Sequence, residues 1–99
     1  MQFLVLGYDG KDEQALERRM RVRDQHLAGA EKMFKDKTLL YAAAMVDEKN
    51  EMIGSMMVVD FPSKEAMEKE WLAKEPYIEG KVWETIEIKP CKVPGFCLK

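Results

Sequence analysis

The chain has 99 residues, 46% of them hydrophobic and 34% charged. That apolar share excludes intrinsic disorder, and 16 Lys plus Arg against 18 Asp plus Glu, a formal net charge of −2, lacks the basic excess of a nucleic-acid module. No stretch approaches the roughly 20 apolar residues that span a bilayer, and the charges of Asp9 to Glu13 follow the apolar start too closely for a signal peptide, so one small cytoplasmic domain is expected: an enzyme, a small-molecule binder or an interaction module.

Gln2 to Tyr8 is apolar at nearly every position and reads as a first strand covered on both faces. After Gly10, Lys11 to Lys37 has helical character, with Leu16 and Met20 four apart and Leu27, Ala30 and Phe34 following at three and four. One unbroken helix there would be about 40 Å long. A break near Val22 to Asp24 is therefore expected, with Asp24 capping a second helix through Asp36. Thr38 to Val46 is a second strand, Asp47-Glu48-Lys49-Asn50 a hairpin turn, and Glu51 to Phe61 a third strand. Ser63 is placed to cap a helix through Lys74, with Glu65 in its first turn and Met67 and Trp71 on its inner face. Glu75-Pro76 interrupts that helix. Lys81 to Lys89 alternates as a final strand, and residues 90 to 99 read as a C-terminal tail of the single domain, 1–99.

Strand, helix, strand, strand, helix, strand is the βαββαβ order of the α+β ferredoxin-like sandwich. Both helices of that plan lie on one face of the sheet, yet the first strand is apolar on both sides: Phe3, Val5 and Gly7 on one, Leu4, Leu6 and Tyr8 on the other. A second copy of the same sheet is the simplest cover, so a homodimer packed face to face is expected, with further assembly left open.

His26 is the one histidine. With Asp24 as cap it would stand in the first turn of a helix, where free N–H groups attract anions and favour the neutral imidazole. Arg23 just before the cap would add a fixed positive charge, and an acidic partner would orient the ring. The basic run Arg18 to Arg23 is balanced by Asp12, Glu13, Glu17 and Asp24 and lacks interleaved aromatics, so it reads as a solvated face. The eight methionines read as core and interface filler. Glu84 falls in phase with Val82, Ile86 and Ile88 and faces either an apolar layer or a strand end. Cys91 and Cys97, six apart, read as free thiols, with no zinc spacing around them. No phosphate loop, metal-ligand spacing or nucleophile elbow is present, so neither a metal nor a cofactor is expected.

Four segments in order, Val22-Arg23-Asp24-Gln25-His26-Leu27, Leu39-Leu40, Glu75-Pro76-Tyr77-Ile78 and Glu87-Ile88-Lys89-Pro90, resemble the YCII-related (YciI-like) family from the first strand to about Val93. The resemblance implies a ferredoxin-like fold assembled as a dimeric α+β barrel. It also implies a His–Asp dyad, built from an Arg-x-x-His-Leu pattern and an Asp-Pro-aromatic pattern. The first is intact as Arg23, His26 and Leu27. In the second, Glu75 stands before Pro76 and Tyr77 where the family usually has aspartate, which keeps the charge and adds roughly 1.5 Å of reach. Family and superfamily members include a dehydrochlorinase, a lactone isomerase and cofactor-free monooxygenases. The reading that follows is a cofactor-independent lyase or isomerase acting on a small anionic or enolisable organic molecule. His26 would be the general acid/base, Glu75 its orienting partner, and Arg23 and Tyr77 would hold the substrate's oxygen. The alternatives are a non-catalytic dimeric binding or accessory module, and a dimer with no pocket at all.

Overall fold

The computed structural model describes residues 1–98. Its elements are β1 (Gln2–Asp9), α1 (Ala15–Lys35), β2 (Leu39–Val46), β3 (Met52–Asp60), α2 (Lys64–Glu70), α3 (Pro76–Glu79) and β4 (Trp83–Cys91), with 3₁₀ turns at Leu72–Lys74 and Gly95–Leu98. The four strands form one antiparallel sheet in the order β2-β3-β1-β4, which is the ferredoxin-like α+β arrangement expected from the sequence.

Cross-strand partners share a face, so the register sorts the side chains. Phe3, Val5 and Gly7 stand opposite Val59, Met57 and Ser55 and look towards the helices. With Leu39, Met67, Trp71, Tyr77, Val82 and Trp83 they make the buried core. Leu4, Leu6 and Tyr8, opposite Val58, Met56 and Gly54, form the other face and remain partly exposed. Gly7 has a steric reason: a Cβ there would overlap the indole of Trp83. The β2–β3 hairpin is set by Asp47, whose carboxylate accepts hydrogen bonds from the N–H groups of Lys49 (2.8 Å) and Glu51 (3.0 Å), while Asn50 takes a positive φ of 64°.

The structure departs from the sequence pattern at three places. The helix does not break near Val22: α1 is one element of 21 residues, and Asp24 is exposed inside it rather than a cap. No Gly or Pro lies between Ala15 and Ala28, and about 32 Å of helix fits a molecule whose longest extent is 40 Å. The second helix, capped by Ser63 Oγ accepting from Ala66 N–H (3.0 Å), ends at Glu70 rather than Lys74, and the chain tightens into a 3₁₀ turn before Glu75. The last strand runs Trp83–Cys91, so the tail begins after Cys91 rather than at Pro90.

Candidate active site

The stripe that α1 turns towards the sheet is Ala15, Arg19, Val22, His26, Ala30 and Met33, the spacing of one helix face. Two of its members are polar, and both are buried: Arg19 at 2% exposure and His26 at 7%. Of the apolar series read from the sequence, Ala30 belongs to this stripe, whereas Met20, Leu27 and Phe34 lie one residue out of phase with it and are exposed. His26 is consequently not in a first turn but in the body of the helix, and its surroundings are set by side chains rather than by free backbone N–H groups.

Glu75 arrives from the opposite side. Its backbone is extended (φ −66°, ψ 125°), as a residue before proline must be, and Pro76 opens α3 at the position where a missing N–H costs nothing. The Glu75 side chain then caps α3, with Oε1 accepting from Tyr77 N–H at 3.2 Å. The same Oε1 lies 2.5 Å from His26 Nδ1, and Oε2 accepts from Trp71 Nε1–H at 2.8 Å. Three N–H groups therefore converge on one buried carboxylate, which has acceptor roles only. A carboxylate facing Nδ1 favours the tautomer that carries its proton there, which would leave the lone pair on Nε2.

Tyr77 is fully buried. Its ring stacks on the His26 imidazole, with centroids 3.9 Å apart and planes 11° from parallel. Trp83 meets both edge-on, at 5.6 Å from Tyr77 and 6.2 Å from His26. The Tyr77 hydroxyl has no hydrogen-bond partner among the described residues. Burial is the main influence that raises its phenol above the ordinary 10.0, against the downward pull of Arg19 and Arg23, so it is an O–H donor at neutral pH.

A cavity of about 160 Å³ opens beside this group. Its polar lining is Arg19, Arg23, His26, Ser55 and Tyr77, and its walls include Ala42 to Ala44 and Met57. Arg19 is neutralised by Asp9, but Arg23 has no carboxylate partner among the described residues. Burial is again the largest influence on Asp9, raising its carboxyl above the ordinary 3.8 although Arg19 and Arg18 pull it down. The larger hollow of about 820 Å³ near Tyr8, Asp12, Arg18 and Glu84 is an open surface cleft away from His26, where Arg18 is already held by Asp12 at 2.7 Å. Glu84 is exposed there.

The structure thus brings His26, Glu75, Arg23 and Tyr77 to one site and adds Arg19, Asp9, Ser55, Trp71 and Trp83, which sequence reasoning missed. The signal for Arg19 was the phase of α1: taking Ala15, Val22, Ala30 and Met33 as the buried series puts Arg19 and His26 in line with them. Among the described residues no group of three His, Cys, Asp or Glu side chains is placed to hold a metal, no helix is long and apolar enough to cross a membrane, and Cys91 and Cys97 are both free.

The model of the YCII-related domain matches residues 1–92. The chain is 34% identical to an uncharacterized protein of Haemophilus influenzae and 32% identical to protein YciI of Escherichia coli, each alignment covering 93% of this chain and 97% of the relative. Among solved structures it is similar to 5-chloro-2-hydroxyhydroquinone dehydrochlorinase (TftG) from Burkholderia phenoliruptrix, in complex with 2,5-dihydroxybenzoquinone. That likeness has a TM-score of 0.79 at 16% identity, covering 97% of this chain and 98% of the other, and is one of fold.

Proposed function

We propose that this chain, which belongs to the YCII-related family, is a small cofactor-independent enzyme of the lyase or isomerase type acting on a cyclic, enolisable and anionic organic molecule. The observation that carries the reading is the buried pairing of His26 Nδ1 with Glu75 Oε1 at 2.5 Å beside a cavity. With Nδ1–H held by the carboxylate, Nε2 is the base. It takes a proton from carbon next to a carbonyl or enol, and the electron pair left behind forms the new double bond. In an elimination the leaving anion departs with its bonding pair; in an isomerisation Nε2–H returns the proton to another atom. Arg23, a cation on the cavity wall with no carboxylate partner among the described residues, binds the guest's negative oxygen, and the Tyr77 hydroxyl donates to the same developing charge.

Size supports the substrate class. A cavity of this volume takes one six-membered ring, since an engineered void of about 150 Å³ binds benzene. The fold-level neighbour, a dehydrochlorinase bound to a dihydroxyquinone, is an example of such a guest. The working unit in this reading is a homodimer formed through the Leu4, Leu6, Met56 and Val58 face of the sheet, in the reducing cytoplasm that suits two free thiols.

The test is a panel of halogenated hydroquinones and enol-lactones, with 2,5-dihydroxybenzoquinone as the binding probe, applied to wild type, His26→Ala and Glu75→Gln. The enzyme reading expects turnover that His26→Ala abolishes and Glu75→Gln sharply lowers. Saturable binding of the quinone with no turnover of any panel member would instead identify a binding module.

A further inference from the structure

Arg19 is the one charged side chain of α1 that is almost fully enclosed. Its Nη1 donates to both Asp9 oxygens, at 3.0 and 3.1 Å, and its Nη2 to Ser55 Oγ at 2.8 Å. Its Cζ lies over the Tyr77 ring, 4.6 Å from the centroid. The cluster has a clear hierarchy. Arg19 is anchored by Asp9, His26 by Glu75, and Trp83 by the bond from its Nε1–H to Ser55 Oγ at 3.2 Å. Only the Tyr77 side chain has no hydrogen bond of its own, and its ring is located by the groups stacked around it.

A buried ion pair adds little net stability over an apolar pair of the same volume, so the presence of Asp9–Arg19 at this point calls for a geometric role. Arg19 and His26 are seven residues apart on α1, two turns or about 10.5 Å, and both reach the same ring. The guanidinium is attracted to the face of the phenol and is itself fixed by three hydrogen bonds. We propose that Arg19 is the positioning residue of the site: clamped by Asp9 and Ser55, it fixes the Tyr77 ring, which sets the plane of the His26 imidazole and keeps the Tyr77 hydroxyl free as a donor. This deepens the functional reading above and rests on it for the meaning of the site, but the geometry is testable without any ligand.

The single histidine gives one set of imidazole signals, and a ring stacked at 3.9 Å displaces them upfield. The expected result is a marked upfield displacement of the His26 ring protons in wild type. It is lost in the double variant Asp9→Asn/Arg19→Met, which removes both charges together and so avoids an unpaired buried carboxylate. Arg19→Lys, which keeps the ion pair but not the planar fork, loses part of it, and Ser55→Ala loses less. Phe3→Leu, a core change of comparable cost away from the cluster, leaves it in place, which separates positioning from general loosening. Near-ultraviolet circular dichroism of Trp71 and Trp83 reports which variants are folded. An unchanged His26 displacement in any folded variant that lacks the Arg19 guanidinium overturns the proposal. Titration of wild type with 2,5-dihydroxybenzoquinone is read separately: no binding there sinks the functional reading, while the stacking result stands or falls on its own.

Discussion

Glu75 accepts hydrogen bonds from His26, Trp71 and Tyr77 at once, so an amide in its place changes more than charge. Glutamine offers one acceptor oxygen and an NH₂ that must face a donor or reverse the imidazole tautomer. Glu75→Gln is therefore expected to lower stability by about 1–3 kcal/mol, measured by denaturant unfolding, and turnover by roughly 10²- to 10⁴-fold. Tyr77→Phe separates folding from function in the opposite way. The hydroxyl it removes has no partner, so the variant should unfold at the same or a higher denaturant concentration while binding 2,5-dihydroxybenzoquinone about 5- to 30-fold more weakly. Its alkaline stability should also differ. The folded phenol is raised above 10.0, so the unfolded chain loses that proton first as the pH climbs past 10.0 and wild-type stability falls there. The Tyr77 share of that fall is absent from Tyr77→Phe.

At the scale of elements, α1 ends in a left-handed residue that is not glycine. Lys37 has φ 66°, its N–H bonds to Phe34 O at 3.2 Å, and Thr38 N–H bonds to Met33 O at 2.9 Å, the paired bonds of a Schellman end. Lys37→Gly relieves the Cβ strain and is expected to stabilise the protein by about 0.5–1 kcal/mol in thermal or denaturant unfolding. Gly7→Ala has the reverse sign. Its methyl overlaps the Trp83 indole, and forcing that ring aside costs about 1–3 kcal/mol and disturbs the ring packed edge-on to Tyr77 and His26. The strands and their order were legible from apolar runs bounded by Gly10, Asp47 to Asn50 and Pro62. The phase of α1 was not, because its buried face carries Arg19 and His26 while Met20, Leu27 and Phe34 face outward, so of that apolar series only Ala30 marked the true stripe. The pairing of His26 with Glu75, 49 positions apart, was named through the family resemblance alone, because local patterning does not encode so long-range an approach.

For the whole molecule, the sheet face opposite the helices carries Leu4, Leu6, Met56 and Val58, with Tyr41 at 66% exposure beside them on β2. Covering it with a second copy would bury an area on the order of the 800 Å² per partner of a standard interface. Light scattering should give twice the chain mass for wild type and the single-chain mass for Leu6→Lys, whose ammonium could not be buried there unpaired. A wild-type monomer at micromolar concentration would contradict the dimer. The dyad itself is read by ¹⁵N NMR of the His26 ring at a pH where the imidazole is neutral. A protonated Nδ1 and a bare Nε2 are expected in wild type, with that preference weakened in Glu75→Gln. A protonated Nε2 in wild type, or a pattern indifferent to Glu75, would contradict it.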